Sequence, residues 1–147
     1  MIRLARKEDA PEILAMIQEL ADFERESDAP ALSVSDLIRD GFSDQALFHV
    51  LLAEEHDRIK GMAFIYERYS TWKGKSLYLE DLIVKKEFRG QGIGSRLMDA
   101  VIDKAREGGY TRLEWQVLDW NEGAIEFYKK LGVELDSSWI NCRMTME

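Results

Sequence analysis

Arg89, Gly90, Gln91, Gly92, Ile93 and Gly94 follow an apolar strand-like run, Tyr78 to Val84, and open an amphipathic helix, Ser95 to Glu107. A glycine-rich turn from strand to helix can cradle an anion. Glycine takes φ > 0 and lets the backbone approach a ligand, and the first N–H groups of a helix point outward without an internal partner. A pyrophosphate suits that geometry. Lys85, Lys86 and Arg89 set three cations directly before the glycines in a chain whose net charge is -8. The same glycines could instead serve only as a tight turn. A P-loop would need Gly-Lys-Ser/Thr, which is absent. A dinucleotide fingerprint would need glycine where Ser95 stands, although Glu114 lies about 20 residues on, where a ribose-binding acid would sit.

The rest of the chain bounds what such a turn could serve. A length of 147 residues with 46% hydrophobic content fits one compact domain, residues 1–147, with a single core. No apolar run approaches the roughly 18 residues needed to span a membrane, and the first residues lack a signal-peptide core, so a cytoplasmic location and no membrane partner are expected. One cysteine, Cys142, cannot form an internal disulfide, and two histidines with it make no metal-ligand cluster, so no metal is expected. An acidic surface repels nucleic acid backbones and attracts cations, which disfavours a DNA or RNA partner and suits a basic small molecule.

The elements that must hold the glycine turn read as follows. Ile2 to Ala5 is a short strand. Asp9, three residues before Glu12, marks a capped helix start that runs to Phe23 or Glu24. Ser33 to Asp40 is a second helix closed by Gly41. Ala46 to Glu54 and Ile59 to Tyr69 are strands joined by a hairpin at His56-Asp57-Arg58, and Tyr78 to Val84 is another strand. Ile93, Leu97, Val101 and Ala105 recur at helical spacing after the glycines. Leu113 to Leu118 is a strand, Glu122 to Leu131 a helix ending at Gly132, and Trp139 to Met146 a last strand. The order βααβββαβαβ predicts an α/β (α+β) domain with one central sheet covered by helices.

This order, with Arg-x-x-Gly-x-Gly after the fourth strand, resembles the GNAT superfamily of acyl-CoA-dependent N-acetyltransferases over the whole chain. Trp72-Lys73-Gly74-Lys75, Tyr78-Leu79-Glu80-Asp81, and Trp120-Asn121-Glu122 leading into Phe127-Tyr128-Lys129 narrow the match. Together they resemble the diamine and polyamine acetyltransferases, which include spermidine/spermine and thialysine enzymes. The resemblance implies a mixed, mostly antiparallel sheet of six to seven strands with about four helices, splayed between strands four and five. It also implies a homodimer, with Trp120, Trp139 and the final strand as interface material. Acetyl-CoA would be the co-substrate. Its pyrophosphate would lie on the amides of Arg89, Gly90, Gln91, Gly92, Ile93, Gly94 and Ser95, and its pantetheine along Leu82, Ile83 and Val84, with Asn121 and Tyr128 also in contact. Leu82, Ile83 and Val84 read equally well as core from pattern alone.

A primary alkylamine has a pKa near ~10.4, so at pH 7 about one molecule in ~2,500 is a free nucleophile, a cost of roughly 4 to 5 kcal/mol. General-base help is worth about 10² to 10⁴ in rate, the same order. Glu80 matches the family position that accepts the amine proton through water, and Tyr128 matches the tyrosine that protonates the departing thiolate. Consecutive strand residues point to opposite faces, so Glu80 and Asp81 can share the substrate only if a bulge intervenes. An anchoring or salt-bridging role without proton transfer fits that pair as well. Glu24, Glu80 and Asp81 would gather around an ammonium of the substrate, with Trp72 as a cation–π wall. Asn121 is also the natural cap of the helix that carries Tyr128.

The leading expectation is acetyl transfer to a primary amine of a small diamine, polyamine or lysine-like amino acid by direct attack in a ternary complex. Two others stand beside it: acetylation of a protein N-terminus or lysine, and a non-catalytic acyl-CoA-binding module. A binder would need neither Glu80 nor Tyr128.

Overall fold

A computed structural model describes residues 1–146, which fall into two units, Met1–Gln116 and the chain from Val117 onward. The first unit holds a five-stranded sheet in the order β1 (Ile2–Leu4), β2 (His49–Glu55), β3 (Arg58–Ser70), β4 (Gly74–Val84) and β5 (Arg112–Trp115). The first three pairings are antiparallel and β4 with β5 is parallel. Helices α1 (Ala10–Phe23), α2 (Val34–Gly41) and α3 (Ile93–Glu107) complete the unit. The α/β fold class is therefore as expected, with five strands where six to seven were expected. A doubly wound parallel sheet, which the dinucleotide reading would require, is not formed.

Period-two alternation assigns each strand two faces. Val50, Leu52, Met62 and Ile83 pack with Ala10, Ile13 and Met16 of α1 and Leu37 of α2 in one buried cluster. Opposite them, α3 buries Ile93, Leu97, Met98, Val101 and Ala105 against the other side of β2, β3 and β4. Gly61 makes that approach possible. A Cβ there would lie 2.6 Å from the Ile83 carbonyl oxygen and 3.2 Å from Leu97 Cδ1.

Local chemistry sets the ends of the elements. Ser33 caps α2, accepting from the Asp36 amide at 3.1 Å while its own amide donates to Asp36 at 2.9 Å. Asp9 makes no side-chain cap on α1, contrary to expectation. Its carboxylate instead accepts from the Arg6 amide at 2.8 Å and from the Arg3 guanidinium at 2.9 and 3.1 Å. β4 starts four residues before the expected Tyr78, because Gly74 to Ser76 has no apolar residue in sequence but begins the second limb of a hairpin closed on Ser70.

The second unit contains α4 (Glu122–Lys129), capped by Asn121 Oδ1, which accepts from the Ala124 amide at 3.2 Å. The expected strand Trp139 to Met146 is not formed among the described residues. A strand needs a hydrogen-bonded neighbour, and this segment instead begins at a turn in which Asp136 accepts from the Ser138 amide, the Ser138 hydroxyl and the Trp139 indole. The expected strand Leu113 to Leu118 ends at Trp115, with the Leu118 carbonyl accepting from the Asn121 amide at 3.0 Å.

Gly61→Ala tests the close approach of α3. Because the nearest obstacle is backbone, the substitution should lower unfolding stability by about 1 to 3 kcal/mol in a urea titration. An unchanged midpoint would contradict the packing described.

Candidate active site

The β3–β4 register slips once. Phe64 pairs with Asp81 and Ile65 with Leu79, so Glu80 is the extra residue of a β-bulge. The condition set by the sequence is met: two consecutive acids reach one face. Asp81 lies opposite Phe64, which packs on the α1–α2 cluster, and Glu80 Oε1 accepts from the Tyr66 hydroxyl at 3.1 Å. Glu24 follows α1 directly and completes a carboxylate group in which each charge opposes the others.

The electrostatics of that group are one-sided. Burial pushes the Asp81 carboxyl up to about 7, with further contributions from Glu80 and Glu24. Glu24 is likewise raised, first by burial and then by Glu80. The Tyr66 phenol is pushed up to about 12 by burial and by the Glu80 charge and hydrogen bond. Among the described residues, no ion pair neutralises Glu24, Glu80 or Asp81. The arrangement suits a cation brought from outside.

Beyond this cluster the sheet opens. The β4–β5 ladder ends at Leu79 with Trp115, and β4 runs on to Val84 without a β5 partner. The Lys85 amide donates to the Lys60 carbonyl on the β3 side at 2.9 Å, so alternation turns the backbone groups of Val84 and Leu82 to the open edge. Ile83 is turned the other way, toward Met62, with its side chain in the core, which removes it from the expected contact set. The Arg89 guanidinium takes the Val84 carbonyl at 3.1 Å, leaving the Val84 amide and the Leu82 groups along that edge.

The glycine turn follows. Gly90 and Gly92 have φ of 80 and 79, and a Cβ at either would meet nothing within 4 Å. Gly92 is the N-cap of α3, so the amides of Ile93, Gly94 and Ser95 form its first turn, while Arg89 and Gln91 flank the glycines. The glycine turn expected between strand and helix is formed, with open space at both positive-φ glycines. The basic cluster in front of it is altered: Lys85 is ion-paired with Glu12 of α1, and Arg89 lies over the Phe23 ring at 5.6 Å. Those two cations brace α1 against the turn.

Trp72 is not brought to the acids. It lies 81% exposed in the hairpin between β3 and β4, and the stretch from Gly74 to Glu80 spans about 20 Å at a strand's rise of about 3.3 Å per residue. In the second unit, Tyr128 is buried on α4 with its ring 5.4 Å from that of Phe127. Tyr66 was missed by sequence reasoning. It sits cross-strand from Tyr78, their rings 5.2 Å apart, and the hairpin register is the signal that would have found it.

The sequence model of the Acetyltransferase (GNAT) family matches residues 13–133. A thialysine N-epsilon-acetyltransferase of Bos taurus is 42% identical over 142 residues, covering 91% of this chain and 84% of that protein. The Homo sapiens spermidine/spermine N(1)-acetyltransferase-like protein 1 is 39% identical, covering 89% of this chain and 20% of that protein. Among solved structures, an integron cassette protein from the mobile metagenome of V. cholerae superposes with a TM-score of 0.80 at 28% identity, covering 99% of this chain and 92% of that one.

The position of Asp81 has a measurable cost. An aspartate in an unfolded chain titrates near ~3.9, whereas this one titrates at about 7 in the fold. Between those values the folded chain holds a proton that the unfolded chain has released, so stability falls as pH rises from about 4 to 7 and then levels. Asp81→Asn should therefore raise the thermal midpoint by about 4 °C or more at pH 8 and by clearly less at pH 5. Equal shifts at both pH values, or a loss at pH 8, would contradict this.

Proposed function

This chain belongs to the acetyltransferase (GNAT) family and is an N-acetyltransferase, and we propose that it moves the acetyl group of acetyl-CoA to a primary amine of a small diamine, polyamine or lysine-like amino acid. The observation that carries this reading is the unneutralised group Glu24, Glu80 and Asp81 at the bulge of β4, beside the open edge of the same strand. A second ammonium on the acceptor would offset a second of these charges, which favours diamines over monoamines. A relative named for acting on thialysine and one named as like a spermidine/spermine acetyltransferase support the same substrate class.

Acetyl-CoA supplies the activated acetyl group when bound, and the residues present fit it. The amides at Gly90 to Ser95 suit its pyrophosphate, and the open-edge groups of Leu82 and Val84 suit hydrogen bonds to its pantetheine. In the transfer a carbon–nitrogen bond replaces a carbon–sulfur bond. Glu80 takes the proton that the attacking ammonium must lose, directly or through one water. Asp81 and Glu24 hold the acceptor by charge. Tyr128 enters by its match to the family tyrosine and donates a proton to the departing sulfur, a role for which a phenol of pKa near ~10 is suited. Asn121 caps α4 under this residue and contacts the pantetheine in the same reading. The family match crosses both units, which supports treating residues 1–147 as one catalytic domain.

The test is CoA release by the purified protein with acetyl-CoA and spermidine, putrescine, thialysine, lysine and peptide amines, with Tyr128→Phe alongside. Turnover on the diamines or the lysine-like acids, falling about 10²-fold or more in the variant, is expected. Acetyl-CoA binding without turnover on any amine would favour an acyl-CoA-binding module instead, and turnover on peptides alone would favour a protein acetyltransferase.

A further inference from the structure

Glu80 is exposed on a bulge, where an unrestrained carboxylate would sample several rotamers. It is not unrestrained. The Tyr66 hydroxyl donates to Oε1 at 3.1 Å, and the Tyr66 ring is held in turn by the Tyr78 ring and by the α1–α2 cluster. Because Tyr66 projects from β3, across the strand pair from the bulge, it fixes Glu80 from a second strand.

We infer that Tyr66 is a positioning residue for Glu80, holding one carboxylate oxygen so that the other is left to accept the proton of the amine. This rests on the reading of Glu80 as proton acceptor. Two observations support it independently of that reading. The phenol remains a donor at any working pH, because burial and Glu80 push it up to about 12. And the contact follows from the register: Glu80 lies two residues from Tyr78, the cross-strand partner of Tyr66, so alternation puts it on the Tyr66 face, while the slip leaves it without a partner of its own on β3.

The groups that share this environment come from four elements. Glu24 follows α1, Asp81 and Tyr78 lie on β4, Arg68 on β3 and Glu114 on β5. Arg68 is ion-paired with Glu114 at 3.5 Å and lies over the Tyr78 ring at 5.1 Å, and its charge partly offsets that of Glu80 at the Tyr66 phenol.

The experiment is a cycle of Tyr66→Phe, Glu80→Gln and the double variant on the full chain, with kcat, KM for both substrates and the pH profile of kcat/KM. Phenylalanine keeps the ring contacts, so the fold is retained. Tyr66→Phe should lower kcat about 10- to 150-fold, the range of a hydrogen bond to a charged group. KM for acetyl-CoA should stay unchanged, the acid limb of the profile should move to higher pH, and no further loss should appear in the Glu80→Gln background. Wild-type kcat and profile in Tyr66→Phe, or an equal loss in both backgrounds, would overturn the inference while a crippled Glu80→Gln leaves the role of Glu80 standing. Wild-type turnover in Glu80→Gln, or no turnover by the unaltered protein, would remove both.

Discussion

The register slip at Glu80 is the constraint on which the rest of the first unit turns. Strand geometry forbids two consecutive side chains from sharing a face, and a single inserted residue removes that prohibition. Once Glu80 and Asp81 share a face with Glu24, mutual repulsion and burial follow, and Asp81 moves to a titration near neutrality. A fold selected for stability alone would place a lysine or arginine among them. Arg68 of β3, whose charge reaches Tyr66 and Tyr78, is instead tied to Glu114. On the proposed reading a ligand supplies the counter-charge, and the folded chain bears the cost in its absence.

The same strand positions the second half of the site. β5 is four residues long and β4 eleven, so the parallel ladder stops at Leu79 and the bulge follows at once. Past that point the polar backbone of Leu82 and Val84 lies on an unpaired edge, and the strand then leads through a short 3-10 turn to Gly90, Gly92 and α3. Acid cluster, open edge and glycine cradle are therefore three successive stretches of one segment. Their order in space follows from their order in sequence. Gly61 allows α3 to press against the end of β4, and Lys85 with Glu12 and Arg89 with Phe23 tie the same segment to α1.

Much of this was legible from residues alone. The glycine turn, the strand before it and the helix after it rest on spacing and on glycine's freedom at positive φ, which are local properties. The bulge was legible only as a condition, since register depends on a partner strand. The failures share that cause. The stretch Gly74 to Ser76 lies outside the expected strand because it has no apolar residue, and only pairing with Arg68 to Ser70 makes it strand. Trp139 to Met146 has strand periodicity but forms no strand among the described residues. Asp9 had the residue type of a cap, but Arg3 offered a stronger, charge-assisted partner. Trp72 belonged to a family segment, yet hairpin geometry carries it about 20 Å along the strand from Glu80.

The central claim is that Asp81 and its neighbours await a cationic amine. It is tested most directly by calorimetric titration of putrescine into the protein with saturating CoA, at pH 7, in two buffers of different ionisation enthalpy. Burial and its neighbours raise the Asp81 carboxyl to about 7, and an ammonium that favours the carboxylate must expel the proton it retains, so the protein should release more protons on binding than Asp81→Asn does. Equal proton release by the two proteins would contradict the claim.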